Sequence, residues 1–256
     1  MPANVPSVSN HFVVPGVASR YAAGRPYIYD VVAAEIVRHI GKLARAVDVG
    51  AGTGLSTRAL LRCAGEVVGV DPSIEMLGAA FRNPAVRYVA GAGETLPLRS
   101  DSFDFATLSA AFHWCHYDAL FSELARVVRP GGWVAIYDVE LADVIESRAL
   151  VEWLRNDYWA SLPRCVHFGA FDAATHVRPP FALVTDKRER TALPMNVDDI
   201  VAFVLSQASS INAVSLGVAS LDALEQRLRH ELAVALPRGI AATVEFDVPL
   251  ALLRRL

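Results

Sequence analysis

Short apolar runs that include β-branched residues alternate, through the first half of the chain, with longer segments whose apolar residues recur at helical spacing. The short runs predict strands over residues 46–49, 66–70, 86–90, 104–108 and 133–137. The longer segments predict helices over residues 27–40, 55–63, 73–81 and about 119–128, the last with Asp118 as its N-cap. This alternation favours a parallel sheet covered by helices, with a ligand site beyond the carboxyl ends of the strands.

The pattern changes beyond Asp138. Residues 139–180 predict a helical insertion whose irregular end contains three prolines, Pro163, Pro179 and Pro180. The remaining pattern predicts a strand over residues 181–191, helices over 197–207 and 221–235, and a terminal strand over 243–253. Because neither an internal repeat nor a clear linker interrupts the sequence, we expect residues 1–256 to form a single domain.

Composition narrows the classes of partner. The 256 residues include 24 basic and 27 acidic side chains, a formal net charge of −3, so the chain lacks the basic face that nucleic acids require. The tightest basic cluster, residues 187–190, is broken by Glu189 and is interpreted as an exposed strand end. No apolar run approaches the roughly 18 residues of a membrane span. We therefore expect neither a nucleic-acid partner nor a membrane partner.

Two further features favour a cytoplasmic location. The segment 1–12 has neither the cationic start nor the apolar stretch of a signal peptide. The three cysteines, Cys63, Cys115 and Cys165, are odd in number and far apart, so they predict no disulfide framework.

The most informative segment is residues 47–54, where a predicted strand ends and a helix begins. Its glycines are Gly50, Gly52 and Gly54. Glycines at such a turn let the backbone bend tightly and approach a ligand closely. A dinucleotide-binding GxGxxG turn would need glycine where this chain has Leu55, and the phosphate loop ending in Gly-Lys-Ser/Thr is absent. Asp48, two residues before the first glycine, suits a cationic ligand head, such as the ammonium of a methionine moiety, better than a pyrophosphate.

With this spacing, the segment resembles motif I of the class I S-adenosylmethionine-dependent methyltransferases. The resemblance continues downstream, because Asp71 ends the next predicted strand, where this family keeps an acid that binds both ribose hydroxyls. Pro72 and Met76 follow in the manner of the family, which implies that they pack around the adenine. The resemblance implies S-adenosylmethionine as the cofactor, with Asp48, the three glycines and Asp71 among its binding residues.

Residues 91–97 (GAGETLP) are similar to the GDAExLP stretch of the same family. Ala92 replaces the aspartate that often accepts a hydrogen bond from the adenine amine. We therefore expect adenine recognition to depend on backbone groups around Gly93 and on Glu94. Nearer the amino terminus, the segment YAAGRP resembles the YxxxRP element of small-molecule methyltransferases. In that element the tyrosine and arginine, here Tyr21 and Arg25, close over the methionine carboxylate.

Residues 111–114 (AFHW) resemble the fourth-strand end of the trans-aconitate methyltransferase-like branch, where a His-Trp pair borders cofactor and acceptor. Ser109 and His113 are accordingly predicted to contact the cofactor. His113 is also the one predicted catalytic residue, since a histidine beside the methyl donor can act as a general base; the alternative is a packing wall. The run 113–116 holds two histidines and Cys115 but lacks further clustered ligands, so no metal is predicted.

Two segments beyond the core have open interpretations. Trp153, Tyr158 and Trp159 have the spacing of a helix face and are interpreted as core residues, with a lid over a small aromatic acceptor as the alternative. The polar patch 206–212 either terminates a helix or faces the acceptor.

The predicted fold class is α/β: a seven-stranded, mostly parallel, Rossmann-like methyltransferase sheet with helices on both faces and a small helical lid insertion. Residues 18–138 form the predicted cofactor-binding core, 139–180 the insertion, and 181–256 the C-terminal strands and lid helices.

The predicted function is methyl transfer, by in-line displacement, to an O or N atom of a small molecule such as a metabolite or natural-product intermediate of secondary metabolism. The alternatives are a methyltransferase-like cyclase that binds the cofactor without transferring its methyl group, and a regulatory protein with a relict pocket. The expected oligomeric state is a monomer or a homodimer.

Overall fold

The computed structural model describes residue 12 and residues 16–165, 167–236 and 241–256. Most of the segment 1–12, on which the signal-peptide prediction depends, lies outside this part of the chain. Within the described ranges, no helix is long and apolar enough to cross a membrane.

Eight strands build one sheet in the described part of the chain. They are β1 (Leu43–Val49), β2 (Ala64–Asp71), β3 (Val86–Ala90), β4 (Phe103–Ser109), β5 (Val128–Tyr137), β6 (Glu140–Val144), β7 (Phe181–Met195) and β8 (Ala242–Arg255). Strands β1 to β5 are parallel neighbours in the order β3-β2-β1-β4-β5, and β8 runs antiparallel to β5, β6 and β7. The predicted parallel α/β core is confirmed.

The eight strands occupy seven positions across the sheet. β7 pairs with β8 along its whole length, from Phe181 opposite Arg255 to Met195 opposite Ala242. A strand has only two edges, so β5 and β6 must share the other edge of β8, where they follow one another and are interrupted near Asp138. The prediction that residues 139–180 begin a helical insertion is therefore wrong at its start. Residues 140–144 continue the pairing of β5 instead, which satisfies their backbone and buries Val144.

Ten α-helices lie in the described ranges. They are α1 (Val17–Gly24), α2 (Asp30–Ile40), α3 (Leu55–Leu60), α4 (Ile74–Gly78), α5 (Tyr117–Val127), α6 (Arg148–Trp153), α7 (Ala173–His176), α8 (Val197–Leu205), α9 (Ala208–Ser215) and α10 (Leu221–Ala235). One buried cluster joins α2, α3, α6, α8 and α10 to one face of the sheet, and a second joins α5 to the other face. Neighbouring residues of β4, Phe105 and Ala106, pack into opposite clusters. A strand buried on both faces reads as an almost continuous apolar run, which explains why the core strands were predictable.

The insertion is only partly helical. After α6 it continues as a π-helical turn (Leu154–Tyr158) and a 3-10 turn (Trp159–Ser161), and α7 is a single short turn. Tyr158 is fully buried in the core, as interpreted from the sequence. The sequence does not predict the short helix α9, because the polar patch 206–212 is typical of the end of the preceding helix.

Two local predictions are corrected by side-chain contacts. His116, not Asp118, is the N-cap residue of α5, and the Asp118 carboxylate instead lies 2.8 Å from the guanidinium of Arg178. The basic cluster 187–190 lies in the middle of β7 rather than at a strand end. There Lys187 forms an ion pair with the buried Glu35, so its charge is neutralised by the fold.

Candidate cofactor and acceptor sites

Asp48 lies on β1 and is completely buried. Its carboxylate accepts hydrogen bonds from the hydroxyls of Ser56, Thr57 (2.6 Å) and Thr107 (2.8 Å). Burial raises the pKa of this carboxyl, and the three hydroxyl donors oppose that shift. The predicted direct contact between Asp48 and a cationic ligand head is therefore corrected. The carboxylate is fully buried, and its hydrogen bonds connect β1 to α3 and β4.

The glycine turn follows directly on β1. Gly50 has φ of 74°, and a Cβ placed on it would come within 2.4 Å of the Ala111 Cβ, so only glycine fits without strain. Gly54 has φ of 81°, and a Cβ there would come within 2.2 Å of the Tyr88 hydroxyl oxygen. A side chain at Gly54 would therefore collide with Tyr88, and Gly54 is not among the residues that line the cavity described next, so its role in cofactor binding stays a prediction. Gly50 and Gly52 line a cavity.

Asp71 ends β2 at the wall of the same cavity. One carboxylate oxygen accepts the Gly52 N–H at 2.9 Å, and the other accepts the Ser73 N–H at 2.8 Å. Burial raises the pKa of the carboxyl, and these two backbone donors oppose the shift. The side chain thus fixes the glycine turn and still presents its carboxylate to the cavity.

This first cavity has a volume of about 300 Å³. The predicted residues that line it are Tyr21, Gly50, Gly52, Asp71, Pro72, Met76, Gly93, Glu94 and Ser109. Glu94 also accepts the His116 N–H at 2.8 Å, so it connects the cavity to the start of α5. Sequence reasoning missed Phe12 and Cys115, which line it as well. Burial raises the pKa of the Cys115 thiol to about 12, so it is a neutral part of the wall.

A second cavity of about 280 Å³ adjoins the first. The two share four wall residues: Phe12, Tyr21, Ala110 and Trp114. The second cavity is also lined by Arg25, His113, Asp138, Glu140, Trp159, Phe203 and Gln207. Arg25 and His113, predicted as cofactor-binding residues, therefore line this second cavity and not the first. From the polar patch 206–212, Gln207 and Ala208 reach it, and Trp159 is part of its wall.

His113 lies in a 3-10 turn (Phe112–Trp114) that follows β4. Burial, followed by the nearby His167 and Arg25, lowers its pKa to about 4. Its Nδ1 is 3.7 Å from the nearest carboxylate oxygen of Asp138, which is longer than a hydrogen bond. At neutral pH the imidazole is therefore uncharged and weakly basic, which favours a packing role over proton abstraction.

Arg25 follows α1 and connects it to the junction of α8 and α9. Its guanidinium lies 4.6 Å from the centre of the Tyr21 ring and donates to the Ser206 carbonyl (3.3 Å) and the Gln207 side-chain oxygen (3.4 Å). These partners are neutral, and no carboxylate among the described residues is within ion-pair distance of Arg25. Within the same ranges, no cluster of three or more His, Cys, Asp or Glu side chains is placed to hold a metal ion.

Comparisons with known proteins agree with this architecture. A family model described as "Methyltransferase domain" matches residues 47–136, which include the glycine turn and Asp71. A protein of Dictyostelium discoideum named as a methyltransferase is 26% identical over 199 residues, 74% of each chain. A demethylmenaquinone methyltransferase of Corynebacterium kroppenstedtii is 42% identical over 93 residues, 36% of this chain and 40% of its own length.

Among solved structures, a protein of Anaeromyxobacter dehalogenans assigned as a type II methyltransferase has the same fold. It superposes with a TM-score of 0.73 at 21% identity and covers 91% of this chain and 98% of its own. The sheet order, the glycine turn with its acidic strand ends and the matching family model lead to one assignment. Residues 47–136 match a methyltransferase domain, and the chain has the fold of a class I S-adenosylmethionine-dependent methyltransferase.

Proposed function

We propose that the protein transfers the methyl group of S-adenosylmethionine to an O or N atom of a small molecule, a metabolite or natural-product intermediate. The observation that carries this proposal is the pair of adjoining cavities, which share a wall and have similar volumes. A second cavity of about 280 Å³ suits a small acceptor, whereas a protein or nucleic-acid acceptor needs an open groove. The Corynebacterium relative is named for demethylmenaquinone, which is also a small molecule.

The first cavity fits the cofactor in its donor set. Asp71 offers a carboxylate to two vicinal hydroxyls, while the glycine turn brings backbone close to the ligand without intervening Cβ atoms. Pro72 and Met76 supply apolar contacts for a flat base, and Gly93 and Glu94 line the wall nearby. When bound, the cofactor supplies a methyl group that its sulfonium already activates.

The chain's own contribution is positioning and exclusion of water. Phe12, Tyr21 and Trp114 border both cavities, with the Phe12 ring 5.8 Å from that of Tyr21 and 5.9 Å from that of Trp114. These rings can hold an acceptor next to the methyl donor and keep water away from it. Because His113 is uncharged and weakly basic, we infer that the acceptor atom enters without a proton to lose. The position of Trp114 in both walls also supports the predicted likeness to the trans-aconitate methyltransferase-like branch.

The proposal is tested with cofactor labelled in its methyl group. The purified protein is incubated with panels of carboxylic acids, phenols and N-heterocycles, and separately with protein and RNA from a cell extract. We expect label in one small-molecule class, together with a product heavier by one methylene unit and loss of labelling in Asp71→Ala. Label confined to macromolecules would contradict the proposal. A product of unchanged mass would support the cyclase alternative instead.

A further inference from the structure

Strand β7 forms one edge of the sheet. It pairs with β8 from Phe181 to Met195, and no other strand in the described part of the chain pairs with it. Its 15 residues exceed the usual length of a strand, and along its middle they are alternately half-buried and exposed. The backbone groups of such a free edge can bond to a strand of another molecule.

The hydrogen bonds of β8 show which backbone groups of β7 face this edge. The carbonyl oxygens of Pro249 and Thr243 accept N–H bonds, at 3.2 and 3.0 Å, from the chain on the β5 and β6 side of β8. In an antiparallel strand both backbone groups of a residue point to the same side. The residues of β7 opposite these two, Arg188 and Pro194, therefore direct their backbone groups away from β8. Pro194 fits this position, because it has no N–H to contribute to the pairing with β8.

The sequence of β7 is self-complementary about Arg188. If two copies of the strand run antiparallel across a two-fold axis at Arg188, residues equally far from it lie opposite one another. These residues carry opposite charges or the same side chain: Asp186 and Arg190, Lys187 and Glu189, Thr185 and Thr191. Each oppositely charged pair occurs twice by symmetry. The backbone of β7 pairs regularly with β8 over the same residues, since the register shift lies between Leu183 and Thr185.

The side-chain charges of β7 are consistent with this arrangement. Arg188 would face its own copy, but its guanidinium is already neutralised within the chain by Glu140 at 2.7 Å and Asp247 at 3.4 Å. Asp186 is exposed and has no ion-pair partner among the described residues. Arg190 of a second copy would supply one.

Neighbouring registers are less favourable. An axis at Lys187 would place this lysine opposite itself and Glu189 opposite the neutral Thr185. An axis at Glu189 would place this glutamate opposite itself and Arg188 opposite Arg190. Like charges directly opposite one another destabilise strand pairing. The charges that protect this edge from unspecific pairing therefore favour one register.

We propose that β7 is the interface of a homodimer, in which the sheets of two copies join edge to edge about a two-fold axis at Arg188. The pairing also covers Leu183 and Val184, whose exposed fractions are 44% and 47%. Such an interface is isologous, so it closes at two copies. None of the residues 181–195 lines either cavity, so the proposal is independent of the proposed function.

The first experiment measures the mass of the full chain by sedimentation velocity over about a hundredfold range of concentration. We expect wild type to form dimers. Asp186→Lys and Arg190→Glu should each weaken self-association about thirtyfold, because each homodimer then contains two like-charged pairs. An equimolar mixture of the two variants should associate within about threefold of wild type, since every charged pair in the mixed dimer is opposite again. Arg87→Glu, on the other edge strand β3, is the matched control and should associate like wild type.

The mixture separates the interface from effects on folding. A mixture that associates as weakly as the single variants would overturn the proposal, because a folding defect in either variant cannot be repaired by the other. Wild type that stays monomeric at every concentration would overturn it as well. Dimers that neither charge reversal weakens would place the interface elsewhere on the chain, which is also contrary to the proposal.

The second experiment follows hydrogen exchange at single amides in dilute and concentrated protein. The N–H groups of Asp186, Arg188 and Arg190 face the free edge, whereas those of Lys187 and Glu189 face β8. In the dimer we expect exchange of the first three to slow at least about tenfold, and exchange of the other two to change less. A dimer in which the Arg188 N–H exchanges as fast as in the monomer would refute the edge-to-edge pairing.

Discussion

The two cavities are built in different ways. The first is lined largely by short segments that follow the carboxyl ends of β1, β2, β3 and β4. The second is lined by side chains from α1, the turn after β4, the break between β5 and β6, the insertion and the α8–α9 junction. The difference fits their proposed ligands: a constant cofactor can be held by a contiguous motif, while the acceptor is recognised by residues that only the tertiary fold brings together.

The largest effect expected for the first cavity is on Asp71. Asp71→Ala should weaken binding of S-adenosylhomocysteine about a hundredfold, because two charge-assisted bonds to ribose hydroxyls are together worth about 3 kcal/mol. The matched control is Asp138→Ala, which removes one of the two acids that line the second cavity and should leave that affinity unchanged. Calorimetry on both variants, with circular dichroism to establish that they fold, tests the comparison. Similar losses in the two variants would show that the cavities do not act separately.

The same contrast explains what the sequence could predict. Strands β1 to β4 and the residues around Asp71 lie close together in sequence. Their spacing along the chain therefore predicted both the parallel strands and the cofactor site. By contrast, β6 is defined by pairing with β8, about a hundred residues away, and nothing in residues 140–144 distinguishes that strand from a helix.

Long-range contacts also explain the residues that were missed or misplaced. The helical spacing of Trp159 predicts a core residue. Spacing along a helix does not show which cavity a residue will border, so its place in the wall of the second cavity was not predicted. Asp48 was assigned to the ligand because its three hydroxyl partners, two of them on α3 and one on β4, are known only from the fold. Phe12 gave no signal in the sequence, since two of the residues that it contacts, Ser73 and Trp114, lie far along the chain.

Gly50 and Gly131 share a backbone conformation but differ in the space around them. Gly50 and Gly131 have nearly equal φ values, 74° and 75°, but a Cβ would clash with Ala111 at Gly50 and would meet nothing within 4 Å at Gly131. Both alanine variants incur the left-handed backbone strain, and only Gly50→Ala adds overpacking. We expect Gly50→Ala to lower the free energy of unfolding by about 2 to 3 kcal/mol more than Gly131→Ala. Urea denaturation measures both. Equal losses would mean that the turn moves freely away from Ala111.

Because His113 lines the second cavity, the free energy of unfolding should depend on pH through the pKa of this residue. The pKa of His113 falls from 6.5 to about 4 on folding. Between these values the unfolded chain binds a proton that the folded chain excludes, so this group destabilises the fold as pH falls below 6.5. On lowering the pH from 7 to 5, wild type should lose about 2 kcal/mol more of its unfolding free energy than His113→Gln. The buried carboxyls are common to both proteins and cancel. Parallel pH profiles would contradict the shifted pKa.

The smallest effect expected is that of His113 on catalysis. If it were the general base, its loss would remove a factor of about 10² to 10⁴ in rate. As a neutral wall of the second cavity it can be replaced by Gln, which keeps much of the shape and some hydrogen bonding. We therefore expect His113→Gln to lower the rate of methyl transfer by about tenfold or less, far below the loss of a base. His116→Gln, outside both cavities, is the matched control.

The pH–rate profile of the same variant decides between the two roles of His113. A group with a pKa of about 4 gives no inflection near neutral pH, so wild type and His113→Gln should have profiles of the same shape there. A loss of about a thousandfold with unchanged affinity for S-adenosylhomocysteine would identify proton abstraction. It would also change the expected acceptor, because a carboxylate has no proton to lose, whereas a phenol or a ring N–H needs a base. The rate of one variant thus tests both the wall role of His113 and the proposal that the acceptor atom enters without a proton to lose.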